Sequence, residues 1–470
     1  TDVLTPSFVL KQYNEFKKKD IRISSMADFI HKKNRFTSFQ IIILGFIAVI
    51  LIGALLLMLP VSSKAGIITP FNEALFTSTS AVCVTGLVVQ DTATYWSWFG
   101  QGIILVLIQI GGLGVITIAV SFALLSGRKI SLMQRSVMQE AISAPKVGGI
   151  VRLTGFVLKG TFLVEFTAAF IMMPVFVKDF GAKGIWMAIF HSISAFCNAG
   201  FDLMGTENVK YASLTSYISH PLINITIMLL IIIGGIGFLT WEDILKNKYR
   251  IKSYRMQTKV ILTTSLLLIL FPAFFFFFRD FADMPMKERI FSSLFQAVTP
   301  RTAGFNTADL TMMTEDGLGI VIALMLVGGS PGSTAGGMKT TTLAVLIANT
   351  LACFRRKEDA QMFGRRIENS TVKNAATIFM MYIVFFFGGA IVISAVEDLS
   401  FSTCLFETAS AIGTVGLTLG ITPGLGVISQ IILMILMFLG RVGGLTLIYA
   451  ALSGSGKKIS KLPQEKMTVG

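Results

Sequence analysis

The chain has 470 residues, 53% of them hydrophobic and 14% charged, with a mean hydropathy of +0.73. Soluble domains carry about a quarter charged residues, so this balance excludes an ordinary soluble fold and points to a polytopic membrane protein. The excess of 40 Lys+Arg over 26 Asp+Glu sits between apolar runs, which argues against a nucleic-acid partner, and four cysteines without paired spacing and three scattered histidines give no disulfide framework and no zinc site.

Residues 1–38 are basic, from Lys11 to Arg35, and read as a cytosolic segment lying on anionic membrane lipid or docking a soluble partner. No cleavable signal peptide is visible, so the first apolar run is expected to act as the insertion signal. That run, 41–59, matches the roughly 20 residues that cross a hydrocarbon layer. After Pro60 comes a shorter apolar stretch, 71–82, opened by Pro70 and long enough to reach about halfway across, which suits a re-entrant half-helix. The loop Val84-Thr85-Gly86 follows, then a second span at 102–125.

The same order of span, half-helix, glycine loop and span recurs three times. Repeat two has 153–177, 185–197, the loop Asn198-Ala199-Gly200 and 222–241. Repeat three has 258–278, 288–299, Thr302-Ala303-Gly304 and 318–351; repeat four has 372–396, 399–412, Thr414-Val415-Gly416 and 427–452. The loop glycines thus return with a period of roughly 110 residues. The expected fold is an all-α polytopic membrane protein with four span–pore-helix–span repeats, 39–127, 128–247, 248–356 and 357–454, around a central pore, then a cytosolic tail at 455–470. Eight spans and four half-helices follow from it. Most basic residues fall at the termini and in the links between repeats, among them Arg128, Lys129, Lys146, Arg250, Lys252, Arg355, Arg356, Lys457 and Lys458. By the positive-inside rule both termini are cytosolic and the half-helices enter from outside.

Non-helical backbone at membrane depth survives only where it is buried in protein or lines water, so four equivalent loops are expected to share one water-filled axis. Glycine lets successive carbonyls point the same way, as a filter that replaces an ion's hydration shell requires, and the hydroxyls of Thr85, Thr302 and Thr414 can add oxygens. Four half-helix C-termini, each carrying roughly −0.5 charge, would offer about −2 to a cation. With no carboxylate ring in the loops, the ion expected is a weakly hydrated monovalent one. The alternative is that these glycines serve helix packing alone.

The second span of repeat three is interrupted by Gly328-Gly329-Ser330-Pro331-Gly332-Ser333-Thr334-Ala335-Gly336-Gly337, which cannot sustain a helix. The other three second spans are expected to be smooth, so the asymmetric break reads as an intramembrane gate under the loops. Arg441, mid-span in repeat four, would cost at least about 2.5–3.5 kcal/mol if isolated. It is expected to form a cavity-facing barrier against the gate segment or to pair with Glu165, read as the only comparably deep acid. Lys339 would tie the segment to carbonyls or snorkel. Gly111-Gly112-Leu113-Gly114 and the similar runs at Gly234-Gly235 and Gly443-Gly444 follow no strand, so they read as close-packing sites and not phosphate loops. His191 reads as a satisfied core residue. The deep ionisable groups are too few and too basic for an enzyme.

Pro300-Arg301-Thr302-Ala303-Gly304-Phe305-Asn306 resembles the third filter of the Ktr/Trk/HKT potassium-transporter superfamily. Gly413-Thr414-Val415-Gly416-Leu417-Thr418 looks like its fourth, Phe196-Cys197-Asn198-Ala199-Gly200-Phe201 its second and Val84-Thr85-Gly86-Leu87 its first, and the resemblance covers about 36–470. The chain is similar to the KtrB-like membrane subunits, although Cys83 and Cys197 stand where other small or polar residues are expected. The resemblance implies potassium uptake across a bacterial cell membrane through a channel-like pore, with K+ at the filter and an intramembrane loop as gate. Gly86 stands where sodium-type members have serine, which implies potassium preference; a sodium-selective or sodium-coupled route is the alternative. It further implies a homodimer on a cytosolic ring of KtrA/TrkA-like nucleotide-binding regulatory subunits, and no organic cofactor in this chain.

Overall fold

The computed structural model describes residues 37–119, 131–142 and 148–444, with the single positions 446, 463 and 465. The basic N-terminal segment up to residue 36, the inter-repeat cations Arg128, Lys129 and Lys146, most of the tail, and the ends of the spans expected at 102–125 and 427–452 lie outside the described residues.

Repeat one runs α1 (Ser38–Leu57), α2 (Phe71–Cys83) and α3 (Trp98–Leu113), with α4 (Leu132–Ile142) in the link that follows. Repeat two runs α5 (Ile150–Phe180), α6 (Lys183–Phe196), α7 (Pro221–Gly235) and α8 (Phe238–Asn247). Repeat three runs α9 (Met256–Phe278), α10 (Met286–Val298), α11 (Glu315–Leu326) and α12 (Thr340–Phe354); a hairpin of β1 (Gln361–Met362) and β2 (Arg365–Arg366) leads into repeat four, with α13 (Asn369–Glu397), α14 (Phe401–Gly413) and α15 (Val427–Val442). Neither α4 nor the hairpin was expected in links that read as plain basic connections.

The leading helix of each repeat has 20, 31, 23 and 29 residues, enough to cross a bilayer. Each turns bulky apolar side chains outward, such as Leu163, Phe166 and Phe170 on α5 or Leu267, Phe271 and Phe274 on α9, while Val157, Met172 and Phe176 of α5 are buried. A helix apolar on both faces is at home in lipid. The half-helices α2, α6, α10 and α14 have 13 or 14 residues and so span only about 20 Å. Pro70 and Pro285 start two of them, and the Ser400 hydroxyl caps α14 by accepting from the Thr403 N–H at 3.3 Å. The last three residues of each are buried.

Each leading helix packs along its own half-helix, and each second helix packs on the half-helix of the next repeat: α3 on α6, α7 on α10, α11 on α14 and α15 on α2. The last of these contacts returns to repeat one, so the four repeats close into a ring.

The expectation of smooth second spans fails. Helix α3 stops at Gly114 (φ 87°) before helical structure resumes at Val115; α7 and α8 are bent by 97° at Gly237 (φ 92°); α15 stops at Gly443 (φ 87°). Among the described residues only the four leading helices, and the α7–α8 pair if joined, reach spanning length, so the eight spans resolve into four unbroken and four broken ones. Each of the breaks at Gly114, Gly237 and Gly443 falls three residues after a glycine packed against the half-helix of its own repeat. A Cβ on Gly111, Gly234 or Gly440 would run into the carbonyl oxygen of Val82, Phe196 or Ile412. In repeats one and two these are the glycines expected to pack closely; in repeat four it is Gly440, and not the expected Gly443-Gly444 pair, that meets the half-helix.

Candidate functional site: a ring of four backbone turns above a broken helix

Each half-helix ends in the same backbone figure. Val84 and Gly86 have φ of 57° and 94°, Asn198 and Gly200 59° and 69°, Thr302 and Gly304 74° and 77°, Thr414 and Gly416 53° and 93°. Two left-handed residues flank one ordinary residue, an alternation that swings successive carbonyls to one side. A left-handed non-glycine residue costs about 1–2 kcal/mol, so something must hold the turn. The N–H groups of Thr85, Ala199 and Val415 donate to Ser80, Ser194 and Ser410 O at 2.8 Å, and Ala303 N–H donates to Thr299 O at 2.9 Å. Hydroxyls lock the far side: Ser80 and Ser410 Oγ accept from Gly86 and Gly416 N–H at 3.0 Å, while Ser194 and Thr299 donate to Phe201 and Phe305 O at 2.7 Å. Ser80, Ser194 and Ser410 went unnoticed in the sequence, although a hydroxyl six positions before the loop glycine recurs in three repeats and five before in the other.

The four turns touch in cyclic order. A Cβ on Gly86 would lie 2.5 Å from Ala199 O and 3.2 Å from Gly200 Cα; one on Gly200 would lie 2.7 Å from Ala303 O and 3.0 Å from Gly304 Cα. Gly304 is set in the same way against Val415 O and Gly416, and Gly416 against Thr85 O and Gly86. Carbonyls of Thr85, Ala199, Ala303 and Val415 therefore converge with four glycines on one ring. Thr85 and Thr414 hydroxyls have no protein partner, whereas Thr302 Oγ1 lies 3.2 Å from the Asn198 amide. With that amide turned to accept from Thr302, its nitrogen reaches Ala195 O at 3.0 Å and Ile231 O at 3.3 Å.

Residues 327–339 cross directly beneath. Gly328 abuts the Thr302 methyl, and Gly336 has no room for a side chain beside Thr414. The last carbonyls of any helix lack intrahelical partners, and those of the broken second helices are used here. Ser330 and Thr334 N–H donate to Gly235 and Gly234 O at 2.9 and 3.2 Å, Gly337 N–H to Gly440 O at 3.2 Å, and in return Phe238 N–H donates to Gly332 O at 2.8 Å. Thr334 Oγ1 donates to Phe196 O at 3.0 Å.

Arg441 completes the set. It donates to the carbonyls of Thr334 and Gly111, and to Gly112 O at 3.1 Å. No Arg441–Glu165 ion pair forms; Glu165 instead accepts from Gln109 Nε2 at 3.3 Å. Nor is Glu165 the only deep acid, because Glu407 of α14 is fully buried and accepts from Thr418 and Thr422 hydroxyls. Lys339 Nζ donates to Ala335 O at 2.8 Å and Gly336 O at 3.1 Å, so it ties the segment to itself and does not snorkel. A cavity of about 270 Å³ opens below, lined by Gly112, Glu140, Ser333, Lys339 and Arg441 among others. His191 is satisfied within the core, its Nδ1 at 2.7 Å from Met187 O and its Nε2 accepting from Leu203 N–H at 3.3 Å.

Above the ring, Asp91 accepts from Thr94 N–H at 2.8 Å and Tyr211 N–H at 2.9 Å, joining the loops that follow the filter turns of repeats one and two. Asp202, two residues past Gly200, is pushed up to about 7 by burial and by the charge of Asp91, against the hydrogen bond it accepts from Met204 N–H at 2.9 Å. Among the described residues no three His, Cys, Asp or Glu side chains are grouped to hold a metal, and the oxygens of the ring are backbone oxygens.

Residues 24–461 match the family described as "TrkH: Cation transport protein". The potassium/sodium uptake protein NtpJ of Enterococcus hirae is 38% identical over 93% of this chain and 98% of its own length. The Ktr system potassium uptake protein B of Bacillus subtilis is 38% identical over 90% and 95%, and that of Vibrio alginolyticus 33% over 92% and 94%. The solved structure of the potassium transporter TrkH from Vibrio parahaemolyticus superposes with a TM-score of 0.71 at 18% identity, covering 89% of this chain and 85% of that one, a likeness of fold. Its four-repeat ring and its near full-length relatives make this chain a multi-pass, KtrB-like member of the Ktr/Trk superfamily, within the TrkH family of cation transport proteins.

Proposed function

We propose that the chain takes up potassium through the ring formed by Val84-Thr85-Gly86, Asn198-Ala199-Gly200, Thr302-Ala303-Gly304 and Thr414-Val415-Gly416. The observation that carries this reading is the closed cycle of four equivalent turns, each glycine against a carbonyl of the next repeat. Carbonyls held by buried hydrogen bonds can replace the water shell of a monovalent cation without reorganising, and the half-helix C-termini add negative potential. The names of the Bacillus and Vibrio relatives support potassium as the ion.

Segment 328–337 is the gate in this reading. Arg441 holds it across the conduction path by linking Thr334 O to the carbonyls of Gly111 and Gly112, so conduction needs the Thr334 bond to part, while Lys339 keeps the segment folded on itself. In the same reading the repeats end near 127, 247 and 356. Orientation with both termini in the cytosol, a homodimer, and cytosolic nucleotide-binding subunits docked on the basic links belong to the same proposal.

Tracer flux into proteoliposomes tests it: rubidium should enter at least about tenfold faster than sodium, a difference of about 1.4 kcal/mol at the ring. One observation favours a sodium-conducting reading, the name of the Enterococcus relative. Equal or faster sodium entry would establish that alternative, and absence of both fluxes in folded protein would refute the transport reading.

A further inference from the structure

On the side where the basic links lie, α9 and α12 part to leave an apolar groove of about 410 Å³. Leu267 and Leu268 form one wall, Leu343, Ile347 and Leu351 the other, and Phe363 of the hairpin closes the end. Leu267, Ile347, Leu351 and Phe363 are 67%, 50%, 47% and 50% exposed, so this side of the fold is uncovered. From Leu343 to Arg355 the groove runs along about 18 Å of helix, close to the roughly 15 Å depth of one leaflet's hydrocarbon. Arg355 and Lys357 line its mouth, and neither has an acidic partner within ion-pair distance among the described residues. Arg366 nearby is already paired with Asp359 at 3.2 Å, and Glu358 does not line the groove.

We propose that this groove binds an anionic phospholipid, its acyl chain between α9 and α12 and its phosphate on Arg355 and Lys357. A slot one leaflet deep, apolar along its length and doubly cationic at the headgroup level, complements a lipid monoanion in both shape and charge. Guanidinium and ammonium donors form charge-assisted bonds to phosphate oxygens, which a zwitterionic headgroup offsets with its own cation. Helix α12 begins one residue after Lys339, so the lipid would lie along the helix leading from the broken segment. The proposal rests on the chain being a membrane protein and not on what it conducts.

Native mass spectrometry of the full chain in detergent tests it, with phosphatidylglycerol and phosphatidylcholine of matched acyl chains as probes. Wild-type protein should retain phosphatidylglycerol at least about fivefold over phosphatidylcholine, and Arg355→Ala/Lys357→Ala should lose that preference. Ile347→Trp, which fills the groove and keeps both charges, should lose retention of both lipids. Equal retention of the two lipids by wild type, or an unchanged preference in the double variant, overturns the proposal. So does retention that survives Ile347→Trp while light scattering shows a changed oligomer, the outcome expected if a second copy of the chain covers the groove. These readouts involve no ion flux, so failure of the transport reading would leave them standing, and the reverse.

Discussion

Arg441→Ala should increase cation flux, and the structure bounds by how much. Arg441 bonds to Thr334 in the broken segment and to Gly111 and Gly112 in α3. In the proposed gating the segment withdraws from beneath the ring while α3 keeps its packing on the half-helices, so the Thr334 bond is the one that would part. A hydrogen bond from a charged donor contributes about 1.5–3 kcal/mol. Losing it raises the open-to-closed ratio by about 10–100-fold, up to the limit where the open form already predominates. Removing a positive charge from the ion's path acts in the same direction. Arg441→Lys keeps the charge but not the planar fork that reaches three carbonyl groups at once, so its flux should fall between wild type and Arg441→Ala. The assay is rubidium tracer entering potassium-loaded proteoliposomes, with thermal unfolding as the check on folding. Flux at or below wild type in Arg441→Ala, with the unfolding temperature held within a few degrees, would refute the reasoning.

Deleting part of 329–336 removes the donors to Gly234 and Gly235 and should also raise rubidium flux; unchanged uptake kinetics in a folded deletion would rule the segment out as a gate. Gly304→Ala places a methyl against Val415 O at a left-handed φ, so rubidium-over-sodium selectivity should fall by about tenfold or more, read as the flux ratio. Asp202 binds its proton more tightly folded than unfolded, so its stabilising contribution is full below its ordinary value of 3.8 and is lost as pH rises through about 7. In the proposed orientation its negative charge appears at the outer mouth over the same range. Lowering external pH from about 8 to 6 should therefore slow rubidium entry, and Asp202→Asn should remove that dependence. Cys353 is the exposed member of four free cysteines, so a membrane-impermeant maleimide should label inside-out but not right-side-out vesicles. Labelling of right-side-out vesicles would invert the proposed orientation.

The half-helices were legible because length alone separates them from spans, and Pro70 marks where the first begins. The loop glycines were legible because a glycine at the same place in every repeat has a backbone reason. What escaped was set by neighbours distant in sequence. Gly111-Gly112 and Gly234-Gly235 sit in apolar runs that read as unbroken helix, and their contact with the ends of α2 and α6, just before each turn, is invisible in the local pattern. Those turns free the carbonyls of Gly111, Gly112, Gly234, Gly235 and Gly440, and these are the acceptors that bind the broken segment and Arg441. Symmetry and asymmetry therefore have separate tasks. Glycine carbonyls of repeats one, two and four supply a frame, while repeat three supplies the segment that occupies it. Arg441 bridges repeats one and three from repeat four, and repeat two accepts from Ser330 and Thr334, so the hydrogen bonds that hold the broken segment draw on all four units.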